Sequence, residues 1–216
     1  MRIGILGTGD VGKTLGTALV QRGHTVCMGA RQAGEPKAAA WAAATGAAAS
    51  AGSFADAAGG AELLFNCTSG QHSLSALTLA GADNLAGKIL VDVSNPLDFS
   101  RGFPPRLTHM NDTSLAEELQ AAFPALRVVK ALNTVANPIM VNPGLLPEAT
   151  DLPICGDDPA AKQAVTELLR GFGWERIVDL GPISQARGTE AWLLLWTRLY
   201  GAMRTPLFNM RLVRAA

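Results

Sequence analysis

The sequence predicts an α/β fold: a doubly wound, mainly parallel sheet with a small C-terminal helical element. Strand and helix signals alternate along most of the 216 residues, which is typical of a parallel sheet covered by helices on both faces. A glycine-rich turn joins the first strand signal to the first helix signal. No Ser/Gly-rich linker or internal repeat divides the chain. We therefore expect a single domain over 1–216, with a nucleotide-binding core over 1–150 and a strand and helix extension over 151–216.

The first half of the chain carries short apolar runs that end at glycine or polar residues. These runs predict strands at 2–6, 25–29, 47–50, 63–67 and 88–93. Helices are predicted between them at 11–22, 36–45, 53–58 and 73–80. Gly23 and Gly46 follow the first two helices as C-terminal caps. Pro36 suits the first position of the second helix, and Ser53 caps the third.

The second half continues the alternation after a predicted long loop, 95–113, that holds three prolines. Strands are predicted at 127–132, 152–155 and 174–179, and helices at 115–123, 159–171 and 184–202. The last helix carries large apolar residues, among them Trp192, Trp196 and Tyr200, on more than one face. Core packing within one subunit, a dimer interface and a wall of the partner's binding pocket all fit this pattern. Because Trp and Tyr are enriched in interface cores, it favours a homodimer.

Composition excludes several classes of partner. The 18 basic residues balance the 18 acidic ones, so there is no electrostatic case for nucleic acid or an anionic membrane surface. No apolar run reaches the roughly 18 residues that a membrane span needs. The three cysteines, Cys27, Cys67 and Cys155, have no metal-ligand or disulfide spacing, and we expect small core residues in a reducing cytoplasm. The sequence predicts a cytoplasmic protein without a metal.

The glycine turn predicts a dinucleotide site of the Rossmann type. Its glycines have the G-x-G-x-x-G spacing between a strand and a helix. The first permits a tight turn, the second lets the backbone approach a pyrophosphate, and the third lets the helix pack closely. The N-terminus of the helix offers free N–H groups to the phosphates. The predicted pyrophosphate-binding residues are Gly7, Thr8, Gly9, Asp10, Val11 and Gly12.

The end of the second strand indicates NADP(H) rather than NAD(H). NAD-binding forms place an acidic residue there for the ribose hydroxyls, and none occurs in 25–31. Arg31 and Gln32 follow the strand instead, and an arginine can bind a 2′-phosphate in a forked geometry. Lys37 can add a second positive charge. The alternative is that Arg31 is an ordinary solvated loop residue.

Further loops are expected to meet at the same edge of the sheet, since ligands of such folds bind outside the carboxyl ends of the strands. This rule selects the segments 68–72, 94–97 and 133–138. Two uncommon motifs coincide with or run into the last two segments: Ser94-Asn95-Pro96-Leu97 and Lys130-Ala131-Leu132-Asn133-Thr134. A third, Gly156-Asp157-Asp158, occurs further along the chain.

With Gly7–Gly12 and Gly29-Ala30-Arg31, these motifs resemble the NADPH-dependent coenzyme F420 reductase family, also called F420-dependent NADP oxidoreductases. The resemblance covers nearly the whole chain. The same type of domain is similar to the oxidoreductase domain of the STEAP metalloreductases and to the N-terminal domains of pyrroline-5-carboxylate reductases.

The resemblance implies hydride transfer between NADPH and coenzyme F420 or a flavin such as FMN or FAD, in a homodimer. It implies that residues after the fourth strand run along the cofactor: Thr68, Ser69 and His72. It implies that Asn95 and Pro96 lie near the nicotinamide, and that a segment from Asn133 to Pro138 walls the acceptor. The extra Gly34 and Pro36 and the polar 68–71 segment depart from the family pattern.

No catalytic residue is identified from the sequence. Hydride transfer between two flat rings requires positioning and exclusion of water but no obligatory general acid. His72 stands in a candidate cofactor loop and also suits the start of a helix, while His24 and His109 receive no role. Two alternative functions stay open: reduction of a small imine or carbonyl, which needs a proton donor, and a non-catalytic NADP(H) sensor.

Overall fold

The computed structural model describes residues 1–215. Within them, eight strands form the main sheet: β1 (Arg2–Leu6), β2 (Thr25–Ala30), β3 (Ala49–Ser53), β4 (Leu63–Asn66), β5 (Ile89–Asp92), β8 (Arg127–Lys130), β9 (Asp151–Gly156) and β10 (Arg176–Asp179). Two short strands, β6 (Leu97–Asp98) and β7 (Arg106–Leu107), pair antiparallel beside it.

The α-helices of the described residues are α1 (Asp10–Gln21), α2 (Pro36–Thr45), α3 (Phe54–Gly60), α4 (Gly70–Ala80), α5 (Ala82–Leu85), α6 (Leu115–Ala122), α7 (Asn137–Val141), α8 (Pro159–Gly171) and α9 (Ala186–Met203). Single 3-10 turns occupy Pro143–Leu145 and Ile183–Gln185. Within residues 1–215, none of the helices combines the length and the apolar character needed to cross a membrane.

The strand order of the main sheet is β10-β9-β8-β5-β4-β1-β2-β3. The six strands from β8 to β3 are parallel, with Leu6 level with Gly29 on β2 and with Asn66 on β4. Strand β9 pairs antiparallel with β8, and β10 pairs parallel with β9. The predicted doubly wound, mainly parallel sheet is therefore confirmed. From β1 the chain adds β2 and β3 on one side and then β4 and β5 on the other, and folds of this kind bind ligands at this switch in strand order.

Two apolar cores flank the sheet because alternate strand residues point to opposite faces. On one face, Ile5 and Phe65 pack with α1, α2, α7 and α8. On the other face, Leu64 and Leu90 pack with α3, α4 and α6. Helices on both faces leave the carboxyl ends of the parallel strands as the open edge.

Some predicted boundaries were wrong. The stretch 95–113 is not only a loop, because it contains the β6–β7 pair on either side of a cis Phe103–Pro104 bond. Helix α4 begins at Gly70 rather than at residue 73, since Ser69 occupies its N-cap position. The short helices α5 and α7 were not predicted; their runs are too brief for a helical period to show.

Candidate functional site

The glycine turn is fixed by close contact with two neighbouring strand ends. Gly7 has φ +122° and donates its N–H to the Gly29 carbonyl at 3.0 Å. A Cβ on Gly7 would lie 2.7 Å from the Cys67 carbonyl oxygen, and a Cβ on Gly12 would overlap the Gly7 carbonyl oxygen. Both positions therefore require glycine.

Gly9, by contrast, faces open space. A Cβ there would meet no atom within 4 Å, and Gly9 caps α1 without any side-chain hydrogen bond. The first helical bond runs from the Lys13 N–H to the Gly9 carbonyl at 3.0 Å. The N–H groups that precede it have no partner within the helix, so this end of α1 suits an anionic group such as a pyrophosphate. Thr8 is half-buried, Asp10 is exposed and Val11 is half-buried.

A second opening lies beside the end of β2. Residues 31–36 line a cavity of about 340 Å³, and the Arg31 and Gln32 side chains are exposed there. Lys37 is exposed in the first turn of α2. Glu35 also lines this cavity, and its Oε1 accepts the Lys37 backbone N–H at 3.2 Å. Residues 25–31 gave no sign of this carboxylate, because Glu35 reaches the cavity from the loop that follows β2.

The residues after β4 are split between a turn and a helix. The Thr68 hydroxyl donates to Asn66 Oδ1 at 2.7 Å and lies 3.0 Å from the Ser73 hydroxyl. Ser69 lies at the N-cap position of α4 without a side-chain capping bond, and His72 is exposed in the first turn of this helix. The expected loop through 68–72 is thus shorter than predicted, ending at Ser69.

The start of α4 lies directly against the loop after β5. A Cβ on Gly70 would overlap the Asn95 carbonyl oxygen and lie 2.9 Å from Pro96 Cα. Pro96 is buried, and its carbonyl accepts the Thr108 N–H at 2.9 Å. Gly70 therefore allows two of the predicted site loops to meet.

Asn95 and Asn133 join the loops after β5 and β8. Asn133 Nδ2 donates to Asn95 Oδ1 at 3.0 Å, and Asn95 Nδ2 donates to the Asn133 carbonyl at 2.9 Å. Asn133 Nδ2 also donates to the Thr189 carbonyl on α9 at 3.0 Å. Leu132, just before the pair, has a left-handed φ of +64°. Asn133 Oδ1 is buried without a hydrogen-bond partner, which leaves its acceptor capacity unused.

Beneath these loops lies a buried ionic group that the sequence analysis did not identify. Lys130 Nζ lies 2.7 Å from Asp92 Oδ2 and 2.8 Å from Glu190 Oε1, and all three side chains are almost fully buried. Lys130 Nζ also donates to the Ser94 carbonyl at 2.6 Å. Burial alone would lower the pKa of Lys130, but the two carboxylates more than offset this and hold the pKa above its usual value.

Further hydrogen bonds complete the ionic group. Asp92 Oδ1 accepts from Asn66 Nδ2 at 2.8 Å and from the Ser94 hydroxyl at 2.7 Å. Glu190 accepts the backbone N–H groups of Leu115 and Ala116 at 2.8 and 3.1 Å, at the start of α6. The sequence did contain a signal, because Lys130 lies inside a predicted buried strand and a buried lysine needs a carboxylate partner. The sequence did not show that Glu190 is one of the partners.

An apolar cavity of about 230 Å³ adjoins the Asn133 side of the site. It lies between α9 and one face of β9 and β10, with Met210 and Leu212 of the C-terminal segment along its edge. Thr134 Oγ1 and Trp192 Nε1, both from residues that line this cavity, are buried without hydrogen-bond partners. The cavity therefore has an apolar lining, with two unpaired polar atoms buried in the residues of its wall.

The remaining candidates lie elsewhere. His109 Nε2 is 2.8 Å from Glu118 Oε2, and His24 Nδ1 is 3.4 Å from the terminal amino group. Cys155 is buried, whereas Cys27 and Cys67 are only partly buried, and all three thiols are free. Across residues 1–215, no group of three or more His, Cys, Asp or Glu side chains is arranged to hold a metal ion.

Comparison with known proteins agrees with this geometry. Residues 2–96 match the sequence profile of the family described as NADP oxidoreductase coenzyme F420-dependent. Metalloreductase STEAP3 of Rattus norvegicus is 37% identical over 199 residues, which cover 88% of this chain and 36% of that protein. The F420-dependent NADP reductase of Methanocaldococcus jannaschii is 32% identical over 110 residues, which cover 50% of this chain and 49% of that protein.

The chain thus spans about a third to a half of the length of these curated relatives. It matches a solved structure at full length: an inferred F420-dependent NADP-reductase from Arthrobacter sp. FB24, 45% identical with a TM-score of 0.94, covering 99% of this chain and 100% of that one. The glycine turn, the sheet order and this likeness together show that the chain belongs to the family of F420-dependent NADP oxidoreductases.

Proposed function

We propose that this chain is an NADP(H)-dependent oxidoreductase that transfers a hydride between NADPH and coenzyme F420 or a flavin. The observation that carries the proposal is the pairing of two anion-binding features at one sheet edge. No side chain caps the N-terminus of α1 at Gly9, and the exposed Arg31 lines a separate cavity at the end of the neighbouring strand. Their placement fits a dinucleotide with an extra phosphate on its ribose.

The proposed roles follow the strand ends from β2 to β8. The residues proposed to hold the pyrophosphate are Gly7, Thr8, Gly9, Asp10, Val11 and Gly12. Those proposed at the 2′-phosphate are Arg31, Gln32 and Lys37, and those proposed along the cofactor are Thr68, Ser69 and His72. At the nicotinamide we propose Asn95, Pro96 and Asn133.

NADPH, when bound, supplies the hydride. The chain's own contribution is to orient the donor ring and keep water away from it. The role proposed for Asn133 is to accept from a carboxamide N–H; its Oδ1 is unpaired, and its side chain is bonded to Asn95. Buried Pro96 supplies an apolar surface close to the pair. A flavin-type acceptor can take its proton from solvent, so the proposal needs no catalytic acid.

For the acceptor we propose the apolar cavity beside Thr134. A flat, largely apolar ring suits its lining, and a polar edge of that ring can pair with the free Thr134 hydroxyl and Trp192 indole N–H. The cavity adjoins the nicotinamide end because Thr134 follows Asn133 directly.

We also propose that the chain forms a homodimer and works in the cytoplasm. Large apolar side chains remain exposed along α9: Leu195 is 49% exposed, Tyr200 40% and Met203 52%. The Tyr200 ring stacks on Trp196 with centroids 5.6 Å apart. A second copy would cover this surface. Sedimentation of the wild type and a Leu195→Glu variant tests it: a wild-type monomer at micromolar concentration contradicts the dimer.

The test of the activity is turnover with defined acceptors. Purified protein is mixed with NADPH and then with F420, FMN or FAD, while the nicotinamide absorbance is followed. Oxidation of NADPH with F420 or with a flavin supports the proposal. Turnover with a cyclic imine alone would favour an imine reductase. Tight NADPH binding without turnover on any acceptor would favour a sensor.

A further inference from the structure

We propose that Glu35 is a specificity-determining residue that restrains the preference of this site for NADPH over NADH. The inference rests on the proposed NADP(H) site. It concerns a carboxylate that faces the cavity assigned to the 2′-phosphate, where a purely phosphate-selective site would have only cations and neutral donors.

Glu35 stands between the Arg31 loop and α2. It is the N-cap residue of α2, it is less exposed than Arg31 and Gln32, and its Oε1 accepts the Lys37 N–H at 3.2 Å. It lines the same cavity of about 340 Å³ as Arg31. The carboxylate therefore occupies a helix N–H group that an incoming phosphate oxygen would otherwise bind.

The lining of the cavity carries one charge of each sign. Arg31 contributes one positive charge and Glu35 one negative charge to the lining itself. Lys37 adds a positive charge from the first turn of α2. Asp56, at the start of the neighbouring α3, is engaged by the Ser53 N–H and hydroxyl at 2.8 and 2.7 Å. A 2′-phosphate bound in this cavity would therefore be attracted by Arg31 and repelled by Glu35.

This arrangement acts on the two cofactors in opposite directions. The negative Glu35 repels the 2′-phosphate of NADPH and competes with it for the Lys37 N–H. The same carboxylate can accept a hydrogen bond from the free ribose hydroxyl of NADH, as acidic residues do at this edge in NAD-binding folds. Removing its charge should strengthen NADPH binding, weaken NADH binding, or do both.

The test measures dissociation constants for NADPH and NADH by titration calorimetry in the wild type, Glu35→Gln and Glu35→Ser. Both substitutions keep a neutral oxygen to cap α2, and Ser is a favoured N-cap residue should Gln disturb the fold. Glu167→Gln, on the exposed face of α8, is the matched control. We expect the ratio of the NADH to the NADPH dissociation constant to rise about fivefold or more in the Glu35 variants, the effect of one unit charge at short range in water.

Ionic strength supplies a second readout. Added salt should shrink the difference between Glu35→Gln and the wild type for NADPH, because screening weakens the repulsion. A ratio that stays at the wild-type value, or falls, in a folded Glu35 variant overturns the inference while leaving the NADP(H) site intact. If neither the wild type nor Glu167→Gln binds NADPH or NADH, the proposed function and this inference are both overturned.

Discussion

Lys130 Nζ and Glu190 Oε1 lie 2.8 Å apart with both side chains excluded from solvent, and this ion pair ties β8 to the C-terminal helix α9. The same ammonium bonds the Ser94 carbonyl, so the loop that holds Asn95 depends on a helix almost a hundred residues further along the chain. Helix α9 also binds Asn133 through the Thr189 carbonyl. The C-terminal helix is therefore part of the support of the proposed nicotinamide site.

Replacing Lys130 by Met should be strongly destabilising. The change leaves Asp92 and Glu190 buried without their cation, and breaking one side of a buried pair costs about 3–5 kcal/mol. Urea unfolding of both proteins measures the difference. Arg211→Met is the control, because the Arg211–Glu148 pair is exposed and such pairs contribute about 0–1 kcal/mol. Equal losses in the two variants would contradict a special role for the buried pair.

The Asn95–Asn133 pair should act as a unit. We expect Asn95→Ala and Asn133→Ala each to lower kcat more than they raise the dissociation constant of NADPH, because they disturb the ring end and not the phosphates. Since the two amides bond each other, the double variant should lose less than the sum of the single losses, by about 0.5–3 kcal/mol. Strictly additive losses would show that the two side chains work independently.

Arg31→Ala should weaken NADPH binding by about 1–3 kcal/mol, since hydrogen bonds to charged groups fall in this range, and should leave NADH binding nearly unchanged. Titration of both cofactors measures the two changes. Arg170→Ala, at the exposed end of α8, serves as the control. Equal losses of binding affinity for the two cofactors would contradict a contact between Arg31 and the 2′-phosphate.

Gly70→Ala should separate the start of α4 from the Asn95 loop. The added methyl group overlaps the Asn95 carbonyl oxygen, so either α4 or the loop must move. We expect lower thermal stability and reduced turnover. In Gly171→Ala the new methyl group meets no atom within 4 Å, and this helical position should be neutral or slightly stabilised. A Gly70→Ala protein with wild-type stability and kcat would show that the close contact is not needed.

Cys155 should make folding sensitive to alkaline pH. Burial raises its pKa from the ordinary 9.0 to about 12, so the folded thiol stays protonated where the unfolded thiol ionises. Below pH 9 the two states bind the same proton and the effect is absent; between about pH 9 and 12 the unfolded state binds fewer protons, and the free energy of unfolding falls. Unfolding curves of the wild type and Cys155→Ala across this range test it. The variant should lose less stability than the wild type as pH rises; parallel curves would refute the effect.

The local sequence was sufficient for much of the fold. Alternating strand and helix signals predicted the sheet, and helix starts at Pro36 and Pro159 were predicted correctly, because caps and apolar periodicity act between near neighbours. Short elements escaped this approach. The β6–β7 pair has two residues in each strand and depends on pairing across a loop. Strands this short show no alternation of apolar and polar residues from which they could be predicted.

The glycine turn and Arg31 after β2 could be identified from the residues alone, because the spacing of Gly7, Gly9 and Gly12 and the position of Arg31 are set within a few residues. Which distant side chains lie beside the site follows from the folded chain. Strand order and helix packing bring Glu190 to Lys130 and Asn133 to Asn95, while the path of one loop turns Glu35 toward the Arg31 cavity. Such contacts depend on the burial of whole faces and not on neighbours in the chain, so the spacing of residues cannot reveal them.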